Sequence, residues 1–388
     1  LNSLAVSMEN DGHKVWNLTA GQLPFRPAVE FTESLRNELV FLNSFQYSPV
    51  AGLKELREKV LTYFNESRAV DASSTHDVIV SNGGKHSLSN IFATILDPSD
   101  EVVILAPFWL SYPEIINLYE GKPVIVGSGI YDDFQPNIED IRAALNKNTK
   151  AIVLNSPNNP SGVHYSEDWM RSFASLMLEF PEVIIISDEI YFELSYFDPK
   201  PTYFYQYEKS LLERTLIVEG VSKNMALTGL RIGFCIGPKE IVSAMSRLQG
   251  QTASGANSLT QKALVGFNFN LIPTYLDPIK SHLRENARVV QDKLREGQLS
   301  QCWYQTKSAF YFLIDFSNTP IIDQFRKDSE DVTDYSSQIC EKLLTETGVA
   351  IVPGEAFGAP NTARLSLVST KELFSEAFEK IIKFVKTN

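Results

Sequence analysis

Three cysteines and five histidines are all that the 388-residue sequence offers to a disulfide framework or a soft-metal site. Cys235, Cys302 and Cys340 are odd in number and share no CxxC spacing, which argues against both and points to a reduced compartment. The histidines form no ligand cluster, so no metal is expected. Basic residues are also short: 35 Lys and Arg stand against 47 Asp and Glu, a net charge of -12, and no block of them could neutralise a phosphate backbone. A nucleic-acid partner is therefore not expected. No apolar run approaches the roughly 18 residues that cross a bilayer, and the opening LNSLAVSMENDGHK lacks a signal-peptide layout. No membrane association is expected, and the cytoplasm is the expected location. The first residue is not methionine, so the natural N-terminus is expected upstream. Internal repeats, low-complexity tracts and both common nucleotide signatures are missing: no GxGxxG occurs, and His86 follows Lys85 where a phosphate-binding loop would carry Ser or Thr.

What is present is an ordinary core-forming composition, 44% hydrophobic and 21% charged. Short β-branched runs recur at 77–82, 101–106, 122–128, 150–155, 182–187, 215–220 and 232–237, separated by helix-sized stretches. Near-continuous apolar runs of this length read as buried strands, so the expected fold class is α/β, a mostly parallel sheet covered by helices on both faces. After about residue 275 the rhythm changes to a long charged helical stretch, a strand-like AFYFLIDF, a helix near 334–346 and a closing helix from 371. The expected organisation is an N-terminal segment (1–40) joining a smaller α+β domain (275–388), with a large domain (41–274) between them.

In such a sheet, ligands sit beyond the carboxyl ends of the strands. The residues after each run are rich in chemistry: Gly83-Gly84-Lys85, then SPNNPSG with Asn159, then Asp188 and Tyr191 in DEIY, then Lys223. A lone lysine usually lays its stem on apolar surface and its head in water. An amide, a carboxylate, a phenol and a lysine converging on one sheet edge are not what that habit produces. A glycine pair opening a helix allows close backbone approach and favours a phosphate, and Arg231, eight residues after Lys223, can hold an anion. A phosphate-bearing ligand other than a nucleotide remains open.

The stretch GVSKNMALTGLRIG (220–233) resembles the lysine signature of the class I aminotransferases, fold type I enzymes dependent on pyridoxal 5'-phosphate (PLP). LTAGQLPF, YSPVAGLKELR, SNGGKHSL, PFWLSYPE, NSPNNPSG, SDEIYFEL, VPGEAFG and ARLSLVS resemble other family segments and occur in the family's order, covering nearly the whole chain. The subgroup it most resembles contains aspartate aminotransferases and relatives of neighbouring specificity.

The resemblance implies a role for each matching residue. Lys223 would form the internal Schiff base and afterwards shuttle the proton at Cα. Asp188 would keep the pyridine nitrogen protonated, while Tyr191 and Asn159 would hydrogen-bond the cofactor's 3'-oxygen. Trp109 would stack on the ring. Arg231, with backbone amides around Gly83, Gly84 and Lys85, would hold the phosphate. Arg364 would grip the substrate α-carboxylate in a bidentate pair, with Gly21, Asn159 and Trp109 closing the substrate site. Tyr47 would reach the phosphate of a neighbouring subunit, implying a homodimer with shared active sites. A lysine at the position of Lys85 is associated with acidic substrates.

Two positions depart from the family pattern. Gly220 stands where a serine phosphate ligand is frequent, so Ser222 or a backbone group is expected to compensate. GQLPF replaces an acidic residue followed by PDF, which bears on loop contacts and substrate preference. The expected activity is transfer of an amino group from an L-amino acid, aspartate or glutamate first, to a 2-oxo acid. An aromatic or broad-specificity aminotransferase, a PLP-dependent lyase and a non-catalytic PLP-binding regulator are the alternatives.

Overall fold

The computed structural model describes residues 2–326 and 332–387. The seven apolar runs form one seven-stranded sheet: β2 (His76–Ser81), β3 (Glu101–Leu105), β4 (Lys122–Val126), β5 (Thr149–Asn155), β6 (Ile184–Asp188), β7 (Thr215–Gly220) and β8 (Gly233–Pro238), preceded in the chain by a short β1 (Trp16–Asn17). Their order across the sheet is β2-β8-β7-β6-β5-β3-β4. All run parallel except β8, which is antiparallel to both β7 and β2. Strands buried on both faces read as unbroken Val/Ile/Leu runs, because helices cover each side and leave no polar face to alternate with. Val78 to Val80, Val102 to Leu105, Ala151 to Leu154 and Leu216 to Val218 all lie in the core. Each such aliphatic side chain contributes about 1.5–3 kcal/mol on leaving water.

A second, three-stranded antiparallel sheet has the order β11-β12-β9, from β9 (Tyr311–Asp315), β11 (Val352–Pro353) and β12 (Thr362–Ser366). The short β10 (Val349–Ala350) instead pairs in parallel with β1. This is where the N-terminal segment joins the C-terminal part of the chain, and Ser366 N donates to Leu18 O at 2.9 Å. The helix Val29–Glu38 belongs to the other side: Ser34 Oγ donates to Ala263 O in the helix Ser258–Gly266 at 2.8 Å. The stretch between these two anchors, residues 19–28, passes the edge of the large sheet where the parallel strands end.

The helix Ile272–Glu296 has the 3.6-residue pattern that its sequence announces. Leu276, Ile279, Leu283, Ala287, Val290 and Leu294 form its buried face. It packs beside the closing helix Lys371–Val385, whose Phe374, Phe378, Ile381 and Val385 are buried in the same way. Among the described residues, no helix is long and apolar enough to cross a membrane.

Candidate active site

Six of the seven long strands point the same way, so their carboxyl ends share one edge, and the adjacent ends of β5, β6 and β7 bring their following residues together. In register, Asn155 lies beside Asp188, and Asp188 beside Val218. A cavity of about 350 Å³ opens at this edge, within the range usual for small-molecule sites. Its walls include Gly84, Lys85, Trp109, Asn159, Asp188, Tyr191, Lys223 and Arg231 from the large sheet. Arg364 and Tyr311 enter from the three-stranded sheet, and Gly21 from the crossing segment.

Asp188 ends β6 and is buried. Tyr112 OH donates to its Oδ2 at 2.5 Å and Ile190 N to its Oδ1 at 3.2 Å. Burial pushes its carboxyl up to about 6, against the pull of the Tyr112 bond, the Ile190 amide and the charge of Lys223. Asn155 ties the neighbouring turn in place: its Nδ2 donates to Asp188 O at 3.1 Å, and its Oδ1 accepts from Asn159 N at 2.9 Å.

Lys223 sits in a single helical turn, Val221–Asn224, directly after β7. Its Nζ donates to Gly21 O and lies 5.9 Å from the Tyr191 ring centroid. Desolvation, then the charges of Arg364 and Arg231, lower its amine to about 8, with Asp188 acting in the opposite sense. An amine so depressed is a nucleophile near neutral pH, which a snorkelling lysine is not. Tyr191 is buried, and its phenol lies 3.3 Å from that of Tyr311. Burial holds the Tyr191 phenol well above its ordinary range, so it is a neutral hydrogen-bonding group.

Arg364, on β12, has its Nη1 donating to Asn159 Oδ1 at 3.0 Å and its Nη2 to Thr19 O at 3.1 Å. Its guanidinium lies over the Tyr311 ring at 4.5 Å. Among the described residues, its Nε is buried without a hydrogen-bond partner. Arg364 lines the cavity, and a planar guanidinium there matches a carboxylate in charge and in geometry.

The anion end is built from backbone and one cation. Gly83 has φ +90°, and a Cβ there would stand 2.6 Å from Arg231 Nη2. Only glycine lets the guanidinium lie against the start of the helix Gly84–Ile95, where unpaired amides and the helix dipole favour an anion. Arg231 Nη1 donates to Thr228 O at 3.0 Å. Gly220 has its own steric reason: a Cβ would come within 2.9 Å of Ile232 O. The serine frequent at this position has no room here, and Ser222 lines the cavity instead.

Trp109 is half-buried at the mouth, edge-on to Tyr112 with centroids 5.6 Å apart. Lys85 Nζ stands 4.9 Å from the Trp109 ring centroid. Two expected residues do not line the cavity. Gly83 acts one step behind it, through Arg231. Tyr47 is 96% exposed and lies outside this chain's own site. Tyr112, Asn155 and Tyr311 went unassigned in the sequence, because a phenol or amide earns meaning only from the partner that tertiary packing supplies. The one available signal was position, since Asn155 ends an apolar run and Tyr112 follows Trp109 by three residues.

The cavity thus has an anion cradle at one end, a buried carboxylate, a nucleophilic amine, and a second arginine. The aminotransferase class I and II family model matches residues 13–381 of the chain. The chain belongs to this family. It is similar to an aspartate aminotransferase of Bacillus subtilis, 33% identical over 387 residues, covering all of this chain and 95% of the relative. It is similar also to an aspartate/prephenate aminotransferase of Nitrosomonas europaea, 30% identical over 97% of this chain and 94% of that one. Among solved structures, a Thermus thermophilus aspartate aminotransferase with maleate superposes with a TM-score of 0.87 at 32% identity, covering 99% and 95% of the two chains. This aminotransferase uses PLP, and the cradle, carboxylate and amine fit that cofactor's phosphate, ring nitrogen and aldehyde in charge and in number.

Proposed function

We propose that the enzyme transfers the amino group of a dicarboxylic L-amino acid, aspartate or glutamate, to a 2-oxo acid in two half-reactions at this single cavity. The observation that carries the reading is the pair Lys223 and Arg364, a depressed amine and an arginine held by Asn159 and Thr19, lining one cavity with Asp188.

Bound PLP supplies the carbon that carries the amino group and the conjugated ring that takes up the electron pair released at Cα. Arg231 and the amides of Gly84 and Lys85 hold the phosphate, and Gly83 keeps room for that arginine. Asp188, held ionised by Tyr112, would hold the protonated ring nitrogen. Tyr191 and Asn159 direct hydrogen bonds at the ring's oxygen substituent. Lys223 would hold the cofactor covalently, and its neutral Nζ would serve as the base that takes the proton from the substrate Cα. Arg364 takes the substrate α-carboxylate, exchanging its bond to Thr19 O for a charge-assisted pair. Gly21 lies in the segment that covers that carboxylate, and Trp109 packs over the ring.

Preference for an acidic side chain rests on Lys85. Lys85 lines the cavity, its amine stands 4.9 Å from the ring centroid of Trp109, another lining residue, and, among the described residues, no carboxylate pairs with it. The names of the relatives and the maleate of the Thermus structure, itself a dicarboxylate, support the same choice. We further propose a homodimer, because Leu39, Val40, Phe41, Leu42, Phe45 and Tyr47 form an exposed apolar run. In this arrangement Tyr47 completes the partner's phosphate site. We place the enzyme in the cytoplasm, with its three buried cysteines reduced, and assign the large PLP-binding domain to 41–274 and the small one to 275–388.

The test is steady-state transfer to 2-oxoglutarate from aspartate, alanine and phenylalanine, and to oxaloacetate from glutamate, in the wild type and Lys85→Ala. The expected result is a preference for the acidic donors that Lys85→Ala erodes more than its activity on phenylalanine. Ammonia released in place of keto-acid exchange would sink the transfer reading; a uniform loss in Lys85→Ala would remove the specificity role.

A further inference from the structure

The turns carrying Asp188 and Lys223 are joined from behind by a group that no step above uses. Arg68 ends the helix Lys54–Arg68, and its side chain is 0% exposed. Its Nε donates to Glu189 Oε2 at 3.1 Å, with Nη2 3.0 Å from the same oxygen. Nη2 also donates to Glu219 Oε1. Glu189 follows Asp188, and Glu219 precedes Gly220 at the entry to the lysine turn. The guanidinium carbon lies 3.3 Å from the ring centroid of Phe192, the residue after Tyr191. Arg68 therefore touches the chain neighbours of Asp188, Tyr191 and Gly220. Asp188 and Tyr191 line the cavity, whereas Glu189, Phe192 and Glu219 do not.

The β6-β7 ladder ends at Asp188 and Val218, with one further backbone bond, Glu189 N to Val218 O at 2.9 Å. Glu219 and the lysine turn lie beyond it. Past that point the fork of Arg68 spans the gap. Glu189 is fixed in addition by Ser187 Oγ at 2.8 Å and Tyr205 OH at 2.9 Å. Burying two carboxylates against one guanidinium is a poor route to stability compared with apolar packing. Its use here calls for a geometric reason, and a planar fork that bonds two acids in fixed directions supplies one.

We propose that Arg68 is a positioning residue for amino transfer, a buried clamp that sets the spacing between Asp188 and Lys223 from the reverse side of their two turns. The proposal rests on the reading of those two residues given above.

The test compares PLP-loaded wild type, Arg68→Lys, which keeps the charge and loses the fork, and Glu219→Met, which keeps the Arg68–Glu189 pair and frees the lysine arm. Both variants should lower kcat about tenfold, as a small misplacement of reacting groups does, while KM for the amino acid stays within about twofold because Arg364 is untouched. Both should also weaken the visible circular dichroism of the cofactor per mole bound, which a purely stabilising role would leave unchanged. Unchanged kcat and dichroism in Glu219→Met, with only a lower melting temperature, would overturn the clamp. So would wild-type behaviour in Arg68→Lys. If Glu219→Met does not fold, Arg68→Lys decides. If the wild type transfers no amino group at all, the reading of the site fails, and the dichroism still decides the clamp.

Discussion

Tyr112 and Asp188 share a buried hydrogen bond of 2.5 Å on the wall of the cavity that Lys223 also lines. The phenol donates to a carboxyl that burial has raised to about 6, so it is the main side-chain contact keeping that group ionised near neutrality. Tyr112→Phe removes the donor and leaves the same burial. The Asp188 pKa then rises further, and as pH falls the cofactor's ionised partner is lost sooner. The expected outcome is a PLP affinity that drops more steeply than in the wild type between pH 8 and 6, read by fluorescence titration; parallel pH profiles would contradict it.

Lys223, whose pKa is shifted in the opposite direction, gives a second pH signature. Burial, Arg364 and Arg231 lower its pKa from 10.5 to about 8. The folded chain therefore binds this proton less tightly than the unfolded one. The cost is present below about pH 8 and is relieved as pH rises from there toward 10.5. The rate of covalent PLP uptake by cofactor-free protein should rise through about pH 8 and level off above it. A rate still climbing at pH 10 would mean an ordinary exposed lysine.

Much of this was legible in the sequence, for identifiable reasons. Strands buried on both faces leave unbroken apolar runs, which made the inner strands readable, and the edge strand β4 keeps a β-branched run of its own; the residues after the strands fall on one edge because six strands run parallel. The reversal of β8 was not legible: IGFCIG is as apolar a run as its parallel neighbours, and direction is set by how the chain returns from the lysine turn. The links between residues were not legible either. Nothing local in PFWLSYPE says that Tyr112, three residues after Trp109, bonds Asp188. Nothing in FNESR tells that Arg68 faces two acids more than a hundred residues away.

Gly83→Ala tests the anion cradle. The added methyl meets a backbone at φ +90° and a guanidinium 2.6 Å away. The strain costs about 1–3 kcal/mol, and Arg231 must leave its place. Thermal melts should show the destabilisation, and PLP affinity should fall more than tenfold. Unchanged affinity would remove Arg231 from the phosphate site.

Arg364→Lys keeps a cation beside Asn159 and Thr19 and loses the fork. Losing charge-assisted bonds of about 1.5–3 kcal/mol each should raise the amino-acid KM by one to two orders of magnitude, with PLP affinity within about twofold. Equal losses in the two affinities would contradict the assignment to the carboxylate.

The most direct test of the account is a single-turnover absorbance experiment on the PLP-loaded enzyme, adding aspartate, glutamate, alanine or phenylalanine with no acceptor present. The account predicts conversion of the bound cofactor's band to that of its aminated form, fastest with the two acidic amino acids, with one keto acid released per site and no conversion in Lys223→Ala. A band that persists while ammonia accumulates, or conversion that survives loss of Lys223, would contradict it.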